Sequence, residues 1–225
     1  TGGEQEVPQN VRRVRIGKDV DTIPRRAFER CQYLVELEGH GGIKKIEDSA
    51  CGGCLSLRWV TKMHGVTEIE LWAFNGCRAI CNLEFDKLEM IGDNAFSDCK
   101  SLRYISMPSA RRVEWAAFQR CERLTGAEFG EKLESIAGHA FYECPSLRHI
   151  AIPLKENMSV SDRAFCSCND LSRVDVIGEI HKNISSLHTE TWRNEINEEI
   201  DSINNRIANY GCRCRGHCQY SGCTK

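Results

Sequence analysis

The 225-residue chain is long enough for one or two domains with a buried core, and its 41% apolar and 28% charged composition is ordinary for a globular protein. Its formal net charge of −2 argues against nucleic-acid partners, because general nucleic-acid binding needs a basic surface. No stretch approaches the roughly 18 apolar residues of a membrane-spanning helix, and the opening TGGEQEVPQN is not a signal peptide, so we expect no membrane partner and favour a cytoplasmic location.

Residues 1–22 precede the first full copy of a repeated unit. Val11, Val14, Ile16 and Val20 have the spacing of that unit's apolar strand positions, but the rest of its pattern is missing. We predict that this segment is a degenerate half-repeat that caps the first full repeat, because the end of a stacked array needs a cover.

The phrase [I/V]-x3-A-F-x2-C-x2-[L/I] recurs seven times, with steps of 22 to 24 residues between the cysteines. The repeat cysteines are Cys31, Cys54, Cys77, Cys99, Cys121, Cys144 and Cys168. A fixed period of this length is typical of a solenoid, in which each unit buries its apolar side against its neighbours. We therefore predict a solenoid of seven repeats over residues 23–180.

Each repeat contains two extended segments and one compact segment. After the cysteine, Leu102, Ile105 and Met107 exemplify the alternation of a half-buried strand, and Leu88–Ile91 exemplifies a second short extended piece. The A-F-x2-C stretch has inward residues three and four apart, which predicts one helical turn. The predicted fold class is an α/β repeat, a leucine-rich-repeat solenoid of strand–turn–helical-turn units followed by an amphipathic helix.

On these motifs, residues 11–177 resemble the BspA-like leucine-rich repeat family, whose repeat carries the same A-F-x2-C phrase after an L-x2-I-x-[I/L]-P strand. Such repeats occur in bacterial surface proteins and in expanded families of protists, and the C-terminal segment resembles that of an algal subgroup. The resemblance implies an interaction module without enzymatic activity. This chain departs from the pattern at Gly39 and Lys62, where the third strand position should be apolar, and we expect looser packing or a bulge there.

The Cys51-x-x-Cys54 pair has the spacing of a thiol redox centre, but the repeat frame gives another interpretation. Cys54 is the repeat cysteine, and Cys51 stands where the other six repeats have phenylalanine. Reduced cysteine is among the most buried residue types. We therefore predict that the repeat cysteines are core residues and that Cys51 leaves the second repeat underpacked.

Residues 181–211 are predicted to form a C-terminal amphipathic helix, because apolar residues from Trp192 to Tyr210 recur every three or four positions. Two roles stay open: a cap on the seventh repeat, or self-association and partner binding through residues 187–210.

Residues 212–225 form a cysteine-rich tail that we expect to be disordered. Its potential metal ligands are Cys212, Cys214, His217, Cys218 and Cys223. They suffice for one tetrahedral zinc, but the spacing C-x-C-x3-C-x4-C matches no common zinc motif. A zinc site and disulfides within the tail remain alternatives, and no metal or other cofactor is predicted.

The sequence contains no G-x-S-x-G, P-loop, G-x-G-x-x-G, H-E-x-x-H or EF-hand pattern, so we predict no enzymatic activity. The informative surface is the outward side of the strand that follows each repeat cysteine, called the strand face below. Aromatic and arginine side chains among acids are typical of protein-binding hot spots. The predicted protein-binding residues are Trp59, Tyr104, His149, Arg173, Arg58, Arg103, Arg148, Glu36, Glu84 and Glu128.

The leading functional hypothesis is a protein-binding module that uses the strand face to bind a protein partner of unknown identity. The alternatives are a structural or self-associating scaffold joined through the C-terminal helix, and a zinc-dependent regulator that uses the cysteine-rich tail.

Overall fold

The computed structural model describes residues 7–8, 10–83, 85–153, 158–161 and 163–178. This part of the chain contains fourteen short strands and no helix. The strands are β1 (Arg13–Arg15), β2 (Thr22–Ile23), β3 (Glu36–Glu38), β4 (Lys45–Ile46), β5 (Trp59–Thr61), β6 (Glu68–Ile69), β7 (Met90–Ile91), β8 (Tyr104–Met107), β9 (Arg112–Val113), β10 (Gly126–Phe129), β11 (Ser135–Ile136), β12 (His149–Pro153), β13 (Ser159–Val160) and β14 (Arg173–Ile177).

All strand pairs are parallel, and the chain winds as a parallel β-solenoid of about seven turns. The first strand of each repeat belongs to a continuous seven-stranded sheet with the order β13-β11-β9-β7-β6-β4-β2. The second strands form two sheets on the strand face, β1-β3-β5 and β14-β12-β10-β8. Strand β1 lies before the first full repeat and pairs with β3, so it extends the strand face by one strand.

The predicted helical turns are wrong: the A-F-x2-C stretch forms consecutive turns, and the fold is a β-solenoid rather than an α/β repeat. The N–H of Phe28 donates to the carbonyl of Ala50 in the next repeat at 2.7 Å, and the N–H of Arg30 donates to Gly52 at 2.7 Å. An α-helix would direct these donors to carbonyls four residues earlier in the same segment.

Positive backbone φ angles also exclude a helix here. In the first repeat, Arg26 and Arg30 have φ of 57° and 56°, and later repeats have positive φ at equivalent positions, such as Asn94 and Asp98. Left-handed residues on either side of the phenylalanine redirect the chain, so that alternate N–H groups face the next repeat.

The core contains a stack of phenylalanine rings that runs along the solenoid axis. Neighbouring rings are 5.3–5.4 Å apart and inclined by 3–11°. The stacked residues are Phe74, Phe96, Phe118, Phe141 and Phe165. Cys51 interrupts the column between Phe28 and Phe74 and is fully buried, as the Phe-to-Cys interpretation predicts.

The predicted irregularity at Gly39 and Lys62 is present. Lys62 has a φ of 60°, so β5 ends at Thr61 and the next residue, Met63, is buried. A Cβ at Gly39 would lie 2.4 Å from the Met63 sulfur, so Met63 occupies the space that an apolar residue 39 would fill. Met63 of the second repeat thus takes the place of the side chain that Gly39 of the first repeat lacks.

Three predicted segments are wholly or largely outside the described residues. These are residues 181–211 with the proposed association segment 187–210, the tail 212–225, and the first six residues of the predicted cap. The domain boundaries given above therefore stay predictions.

Candidate functional site

The strand face carries columns of side chains that are aligned by the strand registers. Trp59 pairs with Glu36, and Tyr104 pairs with Asn82 and with Gly126. Gly126 pairs in turn with His149, and His149 pairs with Arg173. Apart from Glu84, which lies outside the described residues, every predicted binding residue lies on this face. Whether these residues bind a partner stays a prediction.

Tyr104 and His149 lie on either side of Gly126 in this column. A Cβ on Gly126 would be 3.0 Å from the Tyr104 ring and 3.3 Å from Nδ1 of His149, so the two rings close over the glycine backbone. The Tyr104 hydroxyl donates a hydrogen bond to Glu128. Burial, and then this bond to a carboxylate, raise the pKa of Tyr104 to about 12. The glycine thus allows a fixed, partly exposed aromatic site in the middle of the face.

Two carboxylates on the strand face, those of Asp175 and Glu38, are each held by two neighbouring side chains. His149 Nε2 is 2.9 Å from Asp175, and the Arg173 guanidinium donates to the same carboxylate at 2.8 Å. These contacts, the one with Arg173 foremost, lower the pKa of Asp175. At the amino-terminal end of the strand face, Glu38 accepts hydrogen bonds from Lys62 at 2.6 Å and from Arg15 at 2.8 Å, and these bonds lower the pKa of Glu38.

The exposed arginines have few such partners. Arg58 lies over the Trp59 ring with its guanidinium carbon 5.0 Å from the ring centroid, which is cation–π geometry. Arg148 makes a long 3.8 Å contact with Asp170. Within the described ranges, Arg103 has no carboxylate at ion-pair distance, so its charge faces solvent.

Arg12 also lies on the strand face, although it is not among the predicted binding residues. The β1–β3 register pairs Arg13 with Glu36, so Arg12 aligns with Val35, whose N–H donates to the Arg12 carbonyl at 2.7 Å. Arg12 therefore occupies the position that Arg58 occupies two turns later. The half-repeat lacks the A-F-x2-C phrase, and only the Val14 and Ile16 spacing could have revealed this alignment.

The repeat cysteines are buried, and the structure gives them a further role. From the second repeat onward, each thiol donates to a carbonyl of the preceding repeat, at the phenylalanine position. Cys54 donates to Phe28 at 3.0 Å, and Cys121 donates to Phe96 at 3.3 Å. The donors are Cys54, Cys77, Cys99, Cys121, Cys144 and Cys168.

Burial also opposes redox chemistry at Cys51–Cys54. Both thiols are free and inaccessible, and burial raises the pKa of Cys51 well above its usual value. A thiolate is the reactive form, so a raised pKa makes the thiol inert. Cys166 differs from the repeat cysteines because it is disulfide-bonded. Among the described residues, no cluster of histidine, cysteine or acidic side chains could hold a metal ion.

A second aromatic surface lies beside the A-F-x2-C turns, away from the strand face. Trp72 and Trp115 are each 47% exposed. The His139 ring is edge-on to Trp115 at 5.7 Å and to Tyr142 at 5.2 Å, and its buried Nδ1 has no hydrogen-bond partner among the described residues. This second aromatic surface serves below as a matched control.

The fold and the strand face define a repeat protein whose surface is set by the stacking of equivalent positions. Residues 8–125 and 89–213 match the family described as BspA type leucine rich repeat region (6 copies). The chain belongs to this family. No curated protein has a matching sequence.

Several solved structures of bacterial proteins are similar to this chain. The T. pallidum leucine-rich repeat protein TpLRR is 17% identical over 79% of this chain and 84% of its own, with a TM-score of 0.50. A leucine-rich repeat protein from Bacteroides ovatus is 19% identical over 74% of this chain and 69% of its own, with a TM-score of 0.41. For the pneumococcal vaccine antigen PcpA the identity is 18%, over 77% of this chain and 38% of that one, with a TM-score of 0.49. At these identities the TpLRR likeness shows the fold alone.

In the described part of the chain, no helix is long and apolar enough to cross a membrane.

Proposed function

We propose that this chain is a non-enzymatic protein-interaction module that binds its partner through the strand face. Membership of the BspA-type leucine-rich repeat family supports an interaction or scaffold role, since proteins of this family are typically non-enzymatic repeat proteins. A solenoid also offers one extended, regular surface for binding.

One observation favours the strand face as the binding surface. Trp59 and Tyr104 are 45% and 39% exposed on the parallel strands of the strand face, yet contacts with Arg58, Gly126 and Glu128 fix them in place. Large aromatic side chains that are already ordered lose little conformational entropy on binding, and they dominate interface energetics.

A random peptide-display library selected against the protein tests this proposal without a known partner. Selected peptides are then measured against a Trp59→Ser/Tyr104→Ser variant and a matched Trp72→Ser/Trp115→Ser variant, with folding of both checked by thermal denaturation. We expect the strand-face variant to lose at least about tenfold in affinity, since truncated hot spots contribute on the order of 2 kcal/mol.

The control variant should retain the affinity, because it removes equally exposed aromatics from another surface. Selection of peptides that bind both variants as well as the wild type would contradict the proposal. A library that yields no binders would also count against it.

A further inference from the structure

Four arginines form a regular row along one edge of the strand face. Arg12, Arg58, Arg103 and Arg148 each directly precede the column that contains Trp59 and Tyr104, and all four are exposed. They fall in the half-repeat and in repeats two, four and six, so each is two turns from the next. We name this set the arginine row.

The even repeats share a longer motif that produces this spacing. Their strands begin SLRWV, SLRYI and SLRHI, so an aromatic or histidine side chain follows each arginine. At the arginine position the odd repeats have Val35, Cys81, Thr125 and Ser172. The surface therefore repeats every two turns, while the core repeats every turn. Packing does not require a two-turn period, since the arginines are exposed.

The arginine row carries positive charge that has few carboxylate partners among the described residues. On the opposite edge, Glu38 is paired with Arg15 and Lys62, and Asp175 is paired with Arg173 and contacts the His149 ring. Within the described ranges, the arginine row has a single ion pair, the 3.8 Å contact from Arg148 to an exposed Asp170. A ligand at this edge is therefore best matched electrostatically if it is negatively charged.

The spacing of the row restricts the shape of that ligand. Strands in a sheet are about 4.8 Å apart, so arginines two turns apart are separated by about 9.6 Å, and the whole row by about 29 Å. A polyproline II helix places every third residue on the same edge at intervals of about 9.3 Å. An extended β-strand would not do so, because residues three apart in a strand point to opposite sides.

From this match we propose that the partner segment is an acidic, proline-containing peptide in the polyproline II conformation, with an acidic residue at every third position along the arginine row. The proposal rests on the proposed function and specifies its ligand. Trp59 and Tyr104 support it, because proline-rich peptides dock on surfaces lined by exposed aromatic rings. The guanidinium groups of the arginine row then bind the carboxylates of the peptide, with which they can form bidentate hydrogen bonds.

The test uses fluorescently labelled peptides and the full chain. The main probe is Glu-Pro-Pro repeated four times, whose glutamates span about 28 Å. A control peptide of the same composition, Glu-Glu-Pro-Pro-Pro-Pro repeated twice, places the charges in adjacent pairs. Lys-Pro-Pro repeated four times reverses the charge, and heparin supplies the anionic charge of a sulfated glycan.

Matched variants then locate the binding. Single Arg→Gln substitutions in the row should lower affinity about 2–5-fold each, and the fourfold variant should lower it about 30-fold or more, because individual exposed ion pairs are weak. The control variant carries Lys18→Gln, Lys44→Gln, Lys87→Gln and Lys132→Gln. It removes the same charge from exposed residues outside the row and should leave the affinity within about twofold.

Binding of the spaced acidic peptide, weaker binding of the paired-charge peptide, and loss with the arginine variant alone would support the proposal. Equal affinity for the two acidic peptides, equal loss with both variants, no binding of the main probe, or tighter row-dependent binding of heparin would overturn it. Display-selected peptides that need Trp59 and Tyr104 but are not acidic would overturn it too, and would leave the proposed function intact.

Discussion

Repeats three to seven and repeats one to two have the same hydrogen bonds between their A-F-x2-C turns but differently packed cores. From Phe74 to Phe165 the phenylalanine rings stack without a break, whereas in the second repeat Cys51 separates Phe28 from that stack. The first two repeats also contain the positive φ of Lys62 and the Met63 side chain that occupies the space beside Gly39.

The backbone hydrogen bonds between turns are alike in the two regions. The N–H of Cys51 donates to Ala73 at 2.7 Å, and the N–H of Phe118 donates to Ala140 at 2.7 Å. The backbone ladder thus tolerates a small side chain at the phenylalanine position. Side-chain packing, rather than backbone pairing, should therefore make the first two repeats the less stable end.

The largest expected effect is the removal of a ring from the stack. Phe118→Ala should lower the free energy of unfolding by about 3–5 kcal/mol, because it removes a fully buried ring with stacked neighbours on both sides. Phe28→Ala should cost roughly half as much, since Phe28 lacks a stacked neighbour across Cys51. Urea denaturation measures both, and equal losses would mean that the two regions do not differ.

Restoring the missing ring should make the two regions alike. Cys51→Phe joins Phe28 to Phe74 and should stabilise the protein by about 1 kcal/mol, in the range of cavity-filling substitutions. Phe96→Cys serves as the reciprocal control, because it introduces the same gap into the continuous stack and should destabilise. A clear drop in melting temperature for Cys51→Phe would show that the site cannot accept a ring.

Thiol accessibility should report the same difference without mutation. Burial raises the pKa of Cys99 and Cys121, so their alkylation requires local opening. Among the four cysteines Cys81, Cys51, Cys99 and Cys121 of the described residues, we expect the partly exposed Cys81 to be alkylated first, Cys51 next, and Cys99 and Cys121 last, as mass spectrometry over a time course would show. Alkylation of Cys51 no faster than Cys121 would count against a weaker amino-terminal end.

The smallest expected effect is on pH dependence at the two ends of the strand face. The pKa values of Glu38 and Asp175 are lowered in the folded protein, so their ion pairs stabilise it at neutral pH, and this is lost as the pH falls below their usual values of 4.5 and 3.8. Melting temperature between pH 6 and pH 2 should fall slightly less for Glu38→Gln and Asp175→Asn than for the wild type. Both ion pairs are near the surface, where salt screens them. In 1 M salt we therefore expect the variants and the wild type to have the same pH profile.

Much of the molecule could be predicted from the period of the sequence. Aligning the repeats is enough to place the cysteines in the core, to interpret Cys51 as a missing phenylalanine, and to locate the irregularity near Gly39 and Lys62. Each of these depends on a residue's place within its own repeat, which the sequence displays directly.

The errors concern contacts between repeats. The Ala-Phe-Cys spacing fits a helical turn and also fits the observed consecutive turns, and the two differ in whether N–H groups bond within the segment or to the next repeat. Arg12 was missed because its repeat is incomplete. The bonds from Tyr104 to Glu128 and from His149 to Asp175 join residues more than twenty positions apart, so only the register brings them together.

Hydroxyl-radical footprinting of the unmodified protein tests the central claim most directly, because it reads the tryptophan, tyrosine and histidine side chains on both aromatic surfaces at once. With a saturating display-selected peptide, we expect oxidation of Trp59 and Tyr104 to fall severalfold and oxidation of Trp72 and Trp115 to stay unchanged. Protection of Trp72 and Trp115 with continued oxidation of Trp59 and Tyr104 would contradict the assignment of binding to the strand face.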